Sequence, residues 1–193
     1  MISVVGSPAS GKSTLATKVH HTLKIRKENS IFVGEAATDY IAEWGIPDSP
    51  TDQMVIFYKQ LARERMYFGL KEWIVCDSSS ILNYFYFRNL FNSKLGMKDI
   101  AAINHVQKEI LKSISQWHKI YYVPPFLDFN VDDGVRYHDQ KEIQKLDSMI
   151  KNYLDLEKIP YIDLSDVDIN DRSEWIIRDL LDQNLISSQS FGS

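Results

Sequence analysis

The sequence is short of cysteine: Cys76 stands alone among 193 residues. An internal disulfide is excluded, and the usage suits a reducing compartment. No apolar run approaches the length of a membrane span. Positive charge is not in excess either. The net charge is −4, which argues against a protein that coats nucleic acid while leaving a local basic groove open. The histidines (His20-His21, His105, His118, His138) lack metal-ligand spacing, there is no H-E-x-x-H, and no structural metal is expected. Internal repeats and long low-complexity stretches are absent. The motif nearest the N-terminus begins at residue 6, so no secretory leader is expected ahead of it, and the chain reads as soluble and cytoplasmic with no membrane span.

What is present is a globular composition, 44% hydrophobic and 25% charged, on a chain long enough for one domain with a real core. Short apolar runs alternate with helical patterns, the signature of parallel α/β architecture. Strands are expected at Ile2–Val5, Ser30–Val33, Trp73–Cys76, Ile120–Val123 and Tyr161–Leu164. Between them lie helical periodicities. Leu15, Val19 and Leu23 mark a helix from Gly11 to about Arg26, and a second stretch runs through Tyr40 to Trp44. After the turn at 45–50, Thr51 or Asp52 is expected to cap a helix reaching Phe68. Aromatics at 84–91 mark the next, followed by Ile100, Ile103, Val106, Ile110 and Ile114. Ile143–Tyr153 and Trp175–Leu181 complete the set. The expected fold is a doubly wound, five-stranded parallel α/β sheet. One domain is expected over 1–184, with a disordered tail over 185–193.

The strongest motif is Gly6-Ser-Pro-Ala-Ser-Gly11-Lys12-Ser13, a complete G-x-x-x-x-G-K-[ST]. Its glycines permit a backbone path that turns successive N–H groups, through Ser7, Ala9, Ser10 and on to Thr14, inward around phosphate oxygens. The helix that follows aims its positive end at the same anion. Lys12 supplies a point charge for the β/γ oxygens, and the Ser13 hydroxyl is a ligand for Mg²⁺. A chance match is expected in on the order of one chain per hundred of this length, and the strand before and helix after make it rarer still. The reading is therefore a site for the triphosphate of ATP or a related nucleotide, with Mg²⁺ as cofactor.

Ligands of open parallel sheets sit at the carboxyl ends of the strands. Asp77 ends the apolar run Trp73-Ile-Val-Cys76. There it can hold Mg²⁺ or accept a proton from a substrate hydroxyl, or it can cap the segment Ser78–Ser80. Glu35 ends the second strand in the same way, as a substrate-binding group or as a first-turn glutamate favouring its helix dipole. Arg136 lies with Gly134 in the long irregular stretch 126–139, either as the cation of a closing lid or as a solvated loop charge. Lys59 and Arg63 share a helical face that reads as solvated, and the aromatics at 84–91 read as core packing.

In order and spacing these features resemble the P-loop nucleotide kinase-like family that includes the ribosylnicotinamide kinases, typified by the kinase domain of the bacterial NAD-biosynthesis regulator. The likeness covers roughly residues 2–182. It rests on the phosphate loop and on Glu35-Ala-Ala-Thr-Asp-Tyr40, Val75-Cys-Asp77-Ser-Ser, Asp133-Gly-Val-Arg136 and Ile159-Pro-Tyr-Ile-Asp163-Leu. The resemblance implies an ATP-dependent kinase that phosphorylates a hydroxyl of a nucleoside-like small molecule. Lys12, Asp77 and Arg136 would be catalytic, with Asp77 also near the metal. Glu35, Tyr40 and Asp133 would be on the substrate side, and Asp166 and Arg172 near the nucleotide base. Thr38 stands where the family often has arginine, and Ser79 where a D-x-D pattern has its second acid. Two other readings stay open. One is a phage-type kinase of hydroxymethylated bases in DNA, a partner the net charge does not favour. The other is a nucleotide-dependent binding module without kinase activity.

Overall fold

A computed structural model describes residues 1–90, 96–114, 119–126 and 140–187. Five parallel strands form its sheet: β1 (Ile2–Val5), β2 (Ser30–Val33), β3 (Trp73–Asp77), β4 (Lys119–Tyr122) and β5 (Ile162–Asp163). Their order is β2-β3-β1-β4-β5, so the chain reverses its direction of winding on either side of β1. That is the switch point at which open α/β sheets take their ligands. β1 is buried on both faces, as a central parallel strand must be, which is why it reads as a nearly continuous apolar run. The registers Val4↔Asp77 and Val5↔Tyr122 bring the ends of three strands level around the first loop.

The helices are α1 (Lys12–Ile25), α2 (Ala36–Trp44), α3 (Pro50–Met66), α4 (Ser80–Leu90), α5 (Met97–Ile114), α6 (Gln140–Leu156) and α7 (Arg172–Asp182). They cover the sheet in two layers. On one face α1 and α7 bury Leu15, Val19, Leu23, Ile176 and Leu180 against Ile2, Val4, Val75 and Tyr121. On the other, Phe57, Leu61, Phe85, Phe87, Val106, Ile110 and Leu154 pack on Val5, Val33, Ile74 and Tyr122. Each such side chain contributes roughly 1.5–3 kcal/mol on burial. The aromatics of α4 are core residues, as expected: Tyr84, Phe85 and Phe87 are buried, and Tyr84 packs on Tyr153.

Strands β3, β4 and β5 differ by a residue at one or both ends from the sequence reading, and the start of α3 differs in its cap. Ser49, rather than Thr51 or Asp52, caps α3, and Asp52 is the third helical residue of a capping box. Pro50 takes the first helical position, where its missing N–H costs nothing. Past α7, Leu185 bonds back to the Leu180 carbonyl, Ile186 is buried, and the Ser187 amide bonds Glu28.

Candidate active site

The loop between β1 and α1 is wedged against the exit of β4. A methyl group added at Gly6 would stand 2.2 Å from the Val123 carbonyl oxygen, so only glycine fits there. The Phe126 amide donates to the Ala9 carbonyl at 2.9 Å, fixing the outer side of the loop. Ala9 has φ 60° and Gly11 φ 76°, left-handed geometry that costs alanine more than glycine. Alternation of this kind turns amides toward one centre and makes an anion cradle. Ser10 is buried and donates to the Ser7 carbonyl at 2.8 Å, bracing the turn from inside. The Lys12 ammonium crowns the loop, 2.7 Å from the same carbonyl, while Ser13 and Thr14 stay exposed at the helix start. Backbone amides, a helix N-terminus and one amine thus converge where a polyphosphate can seat.

Asp77 is the last residue of β3 and shares the strand face of Trp73 and Val75, the face on which α1 packs. It is 4% exposed, and among the described residues its Oδ1 has no hydrogen-bond partner. Buried polar atoms are nearly always paired, so an orphaned carboxylate oxygen beside a phosphate cradle is chemically uncommitted. The alternative of a helix cap is not what the structure shows. The first amide of α4, Ser80 N–H, donates to Glu64 Oε1 at 2.7 Å, and the Ser80 hydroxyl donates to Glu64 Oε2 at 2.7 Å. Between them, Ser78 has φ 52° and its amide bonds the Val4 carbonyl at 3.2 Å. The Ser78 and Ser79 hydroxyls are buried and have no partner among the described residues.

Glu35 forms the N-terminal boundary of α2, where Thr38 donates to its Oε2 at 3.1 Å. Tyr40 is nearly buried, and its hydroxyl donates to Asp52 Oδ1 at 2.6 Å, tying α2 to α3. That bond pushes the Tyr40 hydroxyl up to about 12 and draws the Asp52 carboxyl down to about 2. Lys59 and Arg63 are not simply solvated: they pair with Glu43 and Asp39 across the same two helices. At the far edge, Asp166 is exposed in the turn after β5. Arg172 is buried at the start of α7, its Nε donating to the Val167 carbonyl at 3.2 Å and its Nη1 without a partner among the described residues. Burial lowers its pKa. Asp133 and Arg136 lie outside the described residues.

The sheet therefore brings Glu35, Asp77 and the cradle to one carboxyl edge, after β2, β3 and β1 in that spatial order, with Asp166 and Arg172 on the opposite flank beyond β4. Sequence reasoning missed Gln60 and Glu64. Both are fully or almost fully buried on α3, and burial, opposed by the bonds from Ser80 and Gln60, raises the Glu64 carboxyl to about 7. The available signal was their place on the helix stripe Gln53, Ile56, Phe57, Gln60, Leu61, Glu64, where apolar residues are the rule.

The five-stranded parallel sheet in the order β2-β3-β1-β4-β5, with a phosphate cradle at its switch point, has the fold of P-loop NTPases of the nucleoside-kinase type. A family profile described as an AAA domain matches residues 1–172, and the chain belongs to that family. Among solved structures it is similar to a NadR protein in complex with NR, with a TM-score of 0.71 and 17% identity. That match covers 100% of this chain and 53% of the other, so the chain spans about half the length of that protein. It is also similar to deoxyadenosine kinase from M. mycoides with bound dATP, with a TM-score of 0.64 and 14% identity over 93% of this chain and 98% of that one. The same enzyme with bound dCTP gives 0.63 and 12% over 94% and 98%. At these identities the likeness establishes the fold. No curated protein matches the chain by sequence. Among the described residues no helix is long and apolar enough to cross a membrane.

Proposed function

We propose that the protein is an ATP-dependent kinase that transfers the γ-phosphoryl group to a hydroxyl of a nucleoside-like small molecule. The observation that carries this reading is the buried, unpartnered Oδ1 of Asp77 at the strand end beside the phosphate cradle. Phosphoryl transfer needs a group to orient and deprotonate the acceptor, and an uncommitted acid beside the cradle can be that group.

In this reading the loop amides of Gly6–Ser13 hold the β- and γ-phosphates, and the Lys12 ammonium exchanges the Ser7 carbonyl for their oxygens. The chemistry of the site suits Mg²⁺: the exposed Ser13 hydroxyl and the free Asp77 oxygen are the hard donors it prefers. When bound, Mg²⁺ supplies neutralisation of the phosphate charge. Asp77 takes the acceptor's proton as the acceptor oxygen bonds to the γ-phosphorus, and the bond to the β-phosphate oxygen breaks to release ADP. Arg136 is proposed as the lid cation and Asp133 as a substrate contact. Glu35, steadied by Thr38, offers an acceptor for sugar hydroxyls. Tyr40 is proposed to line that side through its ring, its hydroxyl being held by Asp52. The buried Nη1 of Arg172 and the exposed Asp166 are proposed to lie near the nucleotide base. The NR complex and the deoxyadenosine kinase among the structural neighbours support a nucleoside-type acceptor.

The test is ATP consumption by the purified chain against a panel of nicotinamide riboside, ribonucleosides, deoxynucleosides and DNA carrying hydroxymethylated bases. Stimulation by one of the free nucleosides supports the proposal. Turnover with the modified DNA alone would move the acceptor to a polymer, and nucleotide binding with no stimulated turnover would leave a binding module.

A further inference from the structure

Three polar side chains interrupt the buried stripe of α3, and two of them reach the ends of both acid-bearing strands. The Ala36 amide, one residue after Glu35, donates to Gln60 Oε1 at 2.8 Å. Gln60 Nε2 donates to Glu64 Oε1 at 3.2 Å. Glu64 in turn accepts the Ser80 amide and hydroxyl, each at 2.7 Å, three residues after Asp77. Gln60 is 0% exposed and Glu64 1%. No cation among the described residues lies within ion-pair range of Glu64, so its burial is offset chiefly by hydrogen bonds, with a smaller favourable field from Arg65, at a net cost an apolar side chain would avoid. The turn it grips is strained, with Ser78 at φ 52°, and such geometry persists only where surrounding contacts over-determine it.

From this geometry we infer that Gln60 and Glu64 are positioning residues: together they form a strut on α3 that fixes the Glu35 end of β2 relative to the Asp77 end of β3. Glu64 also takes over the capping of α4, which leaves the Asp77 carboxylate uncommitted. The strut touches neither nucleotide nor acceptor, and its effect on turnover rests on the kinase reading above. Its mechanical part does not.

Two measurements separate those layers. Amide hydrogen exchange on the full chain reports the strut directly. Gln60→Met and Glu64→Leu should each speed exchange at both Ala36 and Ser80, by about tenfold or more. If each variant loosens only its own neighbour, there is no strut. Steady-state kinetics report the consequence. Glu64→Leu should lower kcat by about thirtyfold, since displacing a reacting group by an ångström costs on the order of a hundredfold. Affinity for a non-hydrolysable ATP analogue should change less than about twofold, because the phosphate loop is untouched. Glu64→Gln keeps Oε1 for Ser80 and Gln60, lets the Ser80 hydroxyl accept instead of donate, and should restore most of the rate. A folded Glu64→Leu protein with unchanged kcat would overturn the inference. So would a loss of kcat matched by an equal loss of nucleotide affinity. Should Glu64→Leu fail to fold, Ser80→Ala deletes only the Oγ–Oε2 bond and should show the same pattern at about threefold. A wild-type chain without stimulated turnover would remove the kinase reading, and the exchange arm would still decide whether the strut exists.

Discussion

The two sides of the candidate site are held by different means. The phosphate side is largely local: eight consecutive residues, Gly6–Ser13, shape their own backbone and are braced by contacts within the loop such as Ser10 to Ser7, with the exit of β4 at Val123 and Phe126 as the outer support. The acceptor side is assembled from afar, with Ala36, Gln60, Glu64 and Ser80 joined across three helices. A local cradle can be recognised wherever its residues occur, because few other sequences satisfy the same backbone demands. A long-range brace can be built from many residue pairs, so it carries specificity without leaving a motif.

Each difference between the sides can be broken in turn. Lys12→Ala should have the largest effect, a loss of turnover of about 10³-fold or more with the fold retained. Phosphoryl transfer to the best acceptor would measure it, and persistent turnover would remove the loop from the chemistry. Gly6→Ala attacks the same side through space: against a carbonyl oxygen 2.2 Å away it should cost about 3 kcal/mol in urea unfolding and weaken nucleotide binding. Equal stability would mean that the loop and β4 part easily. Across the divide, Asp77→Asn should cut kcat about 10²-fold while leaving the melting temperature within a few degrees. An unaltered rate would leave the acceptor side without its base.

The next comparison is one of pH. Glu64 titrates near 7 in the folded chain, against 4.5 as its ordinary value. The folded state therefore holds this proton more tightly than the unfolded one. The stabilisation is complete below pH 4.5 and is lost as pH rises through about 7, an effect of roughly 3 kcal/mol. Denaturation at pH 4.5 and 7.5 should show wild type losing this much relative to Glu64→Gln, other groups cancelling in the difference. Parallel pH curves for the two proteins would contradict it. The smallest effect is expected at Tyr40→Phe. Loss of the bond to Asp52 should cost about 1 kcal/mol, with nucleotide affinity unchanged.

The same contrast explains what could be read from the sequence. The strands of the sheet were legible because parallel strands buried on both faces write themselves as apolar runs, Ile2–Val5 and Trp73–Cys76 most clearly. The phosphate loop was legible because glycine, lysine and serine each answer a separate demand. The order in which the strands lie was not legible from the runs themselves, since it depends on which helix covers which face. The start of α3 was misread because Pro50 looks like the end of a turn, although it serves equally as a first helical residue behind Ser49. Glu64 passed unnoticed because a glutamate in an amphipathic helix is ordinarily solvated. Only the burial of its neighbours Phe57, Gln60 and Leu61 reveals that it faces inward.

The central position of β1 also governs when the protein can first act. The strand that delivers the phosphate loop pairs with β3 at 73–77 and β4 at 119–122, both made long after it. During synthesis one edge of β1 can pair once β3 has emerged, while the other must wait for residues 119–122 to leave the ribosome. Under the proposed reading, ligand capture by a nascent chain would thus mark the arrival of its fourth strand.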